Sequence, residues 1–324
     1  MTKHLLPLLL FLGIYNNVYA QGWPANYGGV MLQGFYWNSY DDTNWTNLKS
    51  QVNDFADNFS LVWLPQSGKC LGNSQTMGYK PYYYFNQNSS FGTEAELRDL
   101  IKTFKGKGIG MVADVVVNHH DTDGWFTFPA EVYKGVTYQF KSTDIVANDD
   151  KGKTAKEATK QGISLSKNND EGEDWDGCRD LDHRSANVNR CVKAYLDFLL
   201  NDLGYAGFRY DMVKGYDGKF TGIYNNAAKP TYSVGEYWDG NANTVKNWMN
   251  KTKVGNSIMS GAFDFTFRYS CRDAANGQNW SKLANGGINT DDAYKRYGVD
   301  PKEDAAFIES WFTDADFIGN EGSV

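Results

Sequence analysis

The chain has 324 residues, with 39 acidic against 32 basic side chains and a formal net charge of −7. That balance argues against nucleic acid or an anionic membrane as partner, since both select a basic surface. Aromatic residues reach 15%; some belong in a core, but exposed rings also stack on the apolar faces of sugars.

The first twenty residues read as a segment outside the fold. Lys3 and His4 precede an apolar run from Leu5 to Ile14, and Val18-Tyr19-Ala20 follows. A run of about ten residues is too short to span a bilayer. The pattern predicts a secretory signal cleaved after Ala20, with a buried N-terminal helix as the alternative. Export would permit disulfides. The four cysteines (Cys70, Cys178, Cys191 and Cys271) lack C-x-x-C spacing, which argues against zinc. Cys178 and Cys191 are close enough in sequence to pair; four reduced, buried thiols are the other possibility.

After the leader, short apolar runs alternate with amphipathic stretches. A strand is predicted over 28–35. A helix follows over 44–57, with Trp45, Leu48, Val52 and Phe55 at helical spacing. Residues 59–65 read as a second strand stopped by Pro65. Residues 93–108 read as a helix whose Thr93 and Glu96 fit a capping box. Residues 109–118 form a third strand, apolar enough to be buried on both faces. From 119 to 180 the chain is polar and rich in Asp and Lys, with few apolar residues to bury. A helix over 185–204 resumes the rhythm. Strands over 206–211 and 231–236, a helix over 243–250 and a strand over 261–267 follow. Such alternation predicts a parallel sheet with right-handed crossovers. A barrel interrupted after its third strand fits best, and an open doubly wound sheet is the alternative. No G-x-G-x-x-G or G-x-x-x-x-G-K-[ST] follows any strand, so nucleotide binding loses support.

The stretch GFRYDMVKGY (207–216) places Arg209 and Asp211 two apart in a strand, hence on one face. They fall at the strand's C-terminal end, the catalytic face of a parallel barrel. A neighbouring guanidinium favours the ionised carboxylate, which suits a nucleophile. Glu236 ends the next strand after Gly235, where Tyr237 and Trp238 can partly desolvate it. Two carboxylates tuned in opposite directions are what glycoside hydrolysis requires. The alternative is a buried structural Arg–Asp pair with a capping Glu. Trp125, Trp175 and Trp238 are candidates for sugar contacts or for core. Tyr82, Tyr83 and Tyr84 read as packing.

The segment ADVVVNHH (113–120), taken with GFRYDMVKGY and GEYW (235–238), resembles the α-amylase family of retaining glycoside hydrolases. The landmarks LQGFYW (32–37), VWLPQS (62–67), GYKPYYYFN (78–86), FGTEAEL (91–97) and DLDH (180–183) occur in matching order, and the likeness covers residues 28–299. The VKGY ending resembles the plant and bacterial liquefying branches. The resemblance implies a (β/α)8 TIM-type barrel with a calcium-binding domain inserted after strand three. It implies cleavage of internal α-1,4-glucosidic bonds in starch or glycogen. Asp211 would then be the nucleophile, Glu236 the general acid/base, and Arg209 the group that orients Asp211, with Asp114 supporting Arg209. His119 would hydrogen-bond the sugar beside the scissile bond. Tyr79 would stack under it, and Lys214 would bind the sugar on the leaving-group side. His183 would be structural. Calcium would be held by Asn118, Asp180 and the Gly215 carbonyl, joined by Asp174 and the Cys178 carbonyl through their spacing to Asp180. An acidic, solvated loop is the alternative to a metal site.

The family's fourth motif, F-x-x-N-H-D, has no counterpart here. The likeness ends at AYKRYGV (293–299), and residues 300–324 align with nothing in the family. Asp314 and Asp316 lie there without a preceding Asn-His, and neither is assigned the missing role. The expectation is therefore a barrel of about six of eight units without the C-terminal sandwich domain. It divides into a signal (1–20), barrel (21–118 and 181–299), inserted domain (119–180) and unassigned tail (300–324). Such a chain would be a truncated or frame-disrupted product, or a short form closed by its tail or a partner, and a monomer if it folds. A non-catalytic α-glucan-binding protein, and a transglycosylase or other α-glucosidic hydrolase, share these motifs.

Overall fold

A computed structural model describes residues 22–24, 27–72 and 75–277. The proposed signal, the tail with Asp314 and Asp316, and the Cys271 side chain lie outside the described residues. Six parallel strands form one sheet: β1 (Met31–Gln33), β2 (Leu61–Leu64), β3 (Gly110–Val115), β8 (Gly207–Tyr210), β9 (Tyr232–Gly235) and β10 (Gly261–Ala262). They neighbour one another in that order, and the sheet curls into a half-barrel. Between β3 and β8 lie four short strands: β4 (His119–His120), β5 (Glu131–Tyr133), β6 (Val136–Tyr138) and β7 (Arg179–Asp180). β4 pairs with β7 and β5 with β6, both antiparallel.

The α-helices among the described residues are α1 (Trp45–Ser50), α2 (Val52–Ala56), α3 (Glu94–Gly106), α4 (Lys153–Gln161, in the insertion), α5 (Ala186–Asp197), α6 (Gly218–Ala228), α7 (Ala242–Lys251) and α8 (Phe265–Gly277). The capping box of α3 forms as predicted. The Glu96 amide donates to Thr93 Oγ1 at 3.3 Å, and the Thr93 amide donates to the Glu96 carboxylate at 2.7 Å. The two-residue period of the strands sorts their side chains. Val62 and Leu64 of β2, Met111, Ala113 and Val115 of β3, and Phe208 and Tyr210 of β8 join the main core with the helices. Trp63, Val112 and Val234 face the other way, into a second cluster inside the curl with Phe263 and Phe265. Asp114 and Arg209 share that inner face by the same alternation, and they sit opposite each other in the β3–β8 ladder.

Several expectations change. The helix predicted over 44–57 breaks at Gln51 into α1 and α2. The strand predicted over 261–267 stops after Ala262. From Phe265 the chain is helical, with the Arg268 amide donating to the Asp264 carbonyl at 3.1 Å. The insertion is not poor in buried apolar groups: Phe128, Tyr133, Phe140 and Ile145 belong to the main core. Cys178 and Cys191 are free, buried thiols, as is Cys70.

Candidate active site

The C-terminal ends of β3, β8 and β9 converge on one guanidinium. Arg209 is 2% exposed. Its Nη1 donates to Asp114 Oδ1 and to Asp211 Oδ1, each at 2.7 Å, and its Nη2 lies 2.9 Å from Glu236 Oε1. The guanidinium also lies over the Trp63 ring, 4.7 Å from its centroid. Asp114 Oδ2 accepts hydrogen bonds from Trp63 Nε1 at 3.1 Å and from the Tyr79 hydroxyl at 3.2 Å. Glu236 Oε2 accepts from the Met212 amide at 2.9 Å. To present that amide, Met212 takes a left-handed backbone (φ 41°). That conformation is costly for a non-glycine residue and typical of backbone held in place for function.

One buried cation among three carboxylates leaves excess negative charge. Burial, reinforced by Asp211, pushes Glu236 up to about 8 despite Arg209. Burial likewise pushes Asp114 up to about 7. The direction of the shift favours the protonated form of Glu236, the state a general acid needs.

This network opens on a cleft of about 660 Å³, lined by Trp37, Tyr79, Trp175, Lys214 and Trp238 among others. Tyr79, Lys214 and Trp238 line the same cleft as Asp211 and Glu236. Lys214 Nζ is held 2.8 Å from Glu173. His119 is placed differently. It is fully buried, with Nε2 2.8 Å from the Tyr79 carbonyl oxygen and its ring stacked on Trp175 at 4.9 Å. Trp175, not His119, lines the cleft. Trp125 instead lies under the Arg179 guanidinium. Tyr82 and Tyr84 are buried, and His183 is buried against the Tyr224 hydroxyl.

Beside the cleft the insertion gathers carboxylates. Asp149, Asp150 and Asp174 bring oxygens within 4.8 Å of one another. Asn118 Nδ2 donates to Asp180 Oδ1 at 3.2 Å, and the Asn118 amide packs directly against Gly215. Cys178 is buried just before Arg179 and Asp180. Burial, with the charges of Asp149, Asp170 and Asp174, pushes Asp180 up to about 9. Asp170 rises to about 6, chiefly through burial. Arg179 pairs with Asp149 and Asp150, but Asp170 Oδ2 and Asp174 Oδ2 are buried without a hydrogen-bond partner. Orphaned carboxylate oxygens close to further carboxylates are hard donors of the kind a divalent cation takes. The residues present fit such an ion. Asp174 and Asp180 were named as candidate ligands on sequence alone, and Asp149, Asp150 and Asp170, which lie beside them, were not; the adjacent pair Asp149-Asp150 was the available signal.

Carboxylates around an arginine at the C-terminal rim of a parallel half-barrel, facing an aromatic cleft, belong to the barrel-built glycoside hydrolases. Comparison specifies the family. Residues 70–298 match the family model described as alpha amylase, catalytic domain, and the chain belongs to that family. It is 28% identical over 293 residues to the probable alpha-amylase 2 of Arabidopsis thaliana, covering 83% of this chain and 66% of that protein. It is 24% identical over 328 residues to the alpha-amylase of Bacillus licheniformis, covering 86% and 64%. The chain thus spans just under two thirds of these relatives. In fold it resembles the solved alpha-amylase of Malbranchea cinnamomea, with a TM-score of 0.53 at 19% identity, over 80% of this chain and 56% of that one.

Proposed function

We propose that the chain is an α-amylase-type hydrolase that cleaves internal α-1,4-glucosidic bonds of starch or glycogen with retention of configuration. The observation that carries this reading is the single buried guanidinium that holds both Asp211 and Glu236 at the floor of an aromatic cleft. Glu236, protonated at neutral pH, gives its proton to the glycosidic oxygen as the bond to the anomeric carbon breaks. Asp211 Oδ supplies the electron pair that replaces it, forming a glycosyl ester. Glu236, now a carboxylate, takes a proton from water, which attacks the anomeric carbon and releases Asp211. Arg209 fixes both carboxylates, and Asp114, held by Trp63 and Tyr79, fixes Arg209. Tyr79 offers its ring to the sugar. Lys214 and Trp238 serve the leaving-group side. The burial of His119 supports a positioning role beneath Tyr79 and Trp175 in place of the direct sugar contact that the resemblance implies.

Calcium would be held by Asn118, Asp180 and Asp174 with the carbonyls of Cys178 and Gly215, next to Asp149 and Asp150. The charge it supplies would fasten the insertion to the barrel rim. The division into a barrel and an inserted domain at 119–180, and export through the N-terminal signal, belong to this reading. Among the described residues no helix is long and apolar enough to cross a membrane.

The test is reducing-sugar release from soluble starch by the full chain with calcium, beside Asp211→Asn. Release by the parent and at least about a hundredfold loss in the variant is expected. Equal rates would remove Asp211 from the chemistry. No release by either would refute the proposed activity for this chain.

A further inference from the structure

Glu236 is wrapped by the turn that follows Asp211, and that turn runs against the ordinary preference of the chain. Six non-glycine residues among those described have a positive φ, and Met212 alone of them lines the cleft. Its φ of 41° is one that an unbranched side chain enters at a cost and a β-branched one scarcely enters at all. The strand before it gives no reason for the reversal, since Asp211 still donates its amide to the Val115 carbonyl at 3.0 Å. One residue later the Met212 amide donates to Glu236 Oε2 at 2.9 Å. The Val213 amide then reaches the Glu236 carbonyl oxygen at 3.3 Å.

The turn is held at both ends. The Gly215 amide donates to the Met212 carbonyl at 3.0 Å, and Asn118 Nδ2 donates to Met212 Sδ at 3.8 Å. Arg209 Nη2 lies 2.9 Å from Oε1, so each oxygen of Glu236 faces one donor, both carried by β8 and the turn after it. Two donors on two oxygens fix the carboxyl plane and leave the lone pairs turned to the cleft for a transferable proton. A main-chain N–H favours a carboxylate over its acid. It therefore opposes burial, the largest influence on Glu236. The other groups facing Glu236 are Arg209 and Asp211 from β8 and its end, Asp114 from β3 and Tyr79 from the loop after β2. Lys214 and Glu173 line the cleft with it.

We propose that Met212 is a positioning residue for the acid. Its main-chain N–H tunes the acidity of Glu236, aims the proton into the cleft, and afterwards steadies the carboxylate that takes a proton from water. The catalytic consequence rests on the retaining-hydrolase reading and deepens it.

The test compares Met212→Leu with Met212→Ile, isomers that differ in branching at Cβ. A third chain carries an ester in place of the Met212 amide, which removes the N–H and keeps the side chain. Glu236 is titrated directly by the NMR signal of its carboxyl carbon, identified as the one missing from Glu236→Gln. It should titrate within about 0.3 pH unit of the parent in Met212→Leu, and about one pH unit higher in Met212→Ile and in the ester chain, the size expected for one main-chain bond to a carboxylate. In those two the alkaline limit of starch hydrolysis should rise with it, with kcat lowered about tenfold and KM changed less than about twofold. Should Met212→Ile fail to fold, the ester chain decides. An ester chain whose Glu236 titrates with the parent would overturn the proposal, and so would equal displacement in Met212→Leu and Met212→Ile. A parent that releases no sugar from starch would refute the hydrolase reading, while the titration still decides the role of the amide.

Discussion

Arg209→Met is the most demanding test of the site, because it removes one charge on which three carboxylates depend. Met keeps much of the length of Arg without the guanidinium. Asp114 and Asp211 lose contacts of 2.7 Å and Glu236 loses one of 2.9 Å. Removing one partner of a buried ion pair costs about 3–5 kcal/mol, against about 5–15 kcal/mol for a whole domain. The cost has a defined pH dependence. Arg209 lowers Asp114 and Glu236, which burial has already raised to about 7 and about 8; without it both rise further. The folded variant then holds protons that an unfolded carboxyl releases near pH 4, roughly its ordinary value. Between that pH and the raised folded values the native state binds more protons, so stability falls as pH rises. The parent holds the same protons below about pH 7, so this part of the destabilisation should be small near pH 4.5, set in above about pH 7 and still be growing at about pH 8.5. Urea unfolding of parent and variant at both pH values measures it. A loss under about 1 kcal/mol at the higher pH, or one independent of pH, would refute this account of the network.

Other outcomes follow from the same geometry. Glu236→Gln should lower starch hydrolysis by roughly a thousandfold, and parent activity should decline above about pH 8 as Glu236 loses its proton; a flat pH–rate profile to pH 9.5 would count against its acid role. Calcium at a hundred times its dissociation constant should stabilise the parent by about 2.7 kcal/mol, and Asp180→Asn should abolish most of that gain in a chelator-controlled melting experiment. A Cβ on Gly215 would lie 1.9 Å from Asn118 Oδ1, so Gly215→Ala should displace that amide and weaken the calcium response; an unaltered response would exclude Asn118 as a ligand.

The legible parts of the molecule were those written in short-range spacing. Arg209 and Asp211 are two apart and share a face; Thr93 and Glu96 are three apart and cap α3. The resemblance paired Asp114 with Arg209, but its other partners were not legible, because Trp63 and Tyr79 reach it from positions 51 and 35 residues away. Only the ladder register and the loop after β2 bring them together. The second bond of Arg209, to Glu236, depends on the β8–β9 pairing in the same way. In the insertion, Phe128, Tyr133, Phe140 and Ile145 show neither a helical nor a strand period, so nothing local marked them as core. GAFDFTF alternates like a strand, yet Phe265 starts a helix with its ring stacked on Trp238 at 4.6 Å. Short alternating runs do not separate these outcomes.

The placement of Arg209 also bears on how the sheet finds its pairing. Asp114 stands opposite Arg209, which stands opposite Val234, two residues before Glu236. Sliding either ladder by one residue would turn alternate side chains to the other face and strand a charge among Met111, Phe208 and Tyr210. An apolar parallel sheet buried on both faces offers few other penalties for a slipped register. The residues proposed to break the glucan would then act during folding too, as the polar key that admits one alignment of the three central strands.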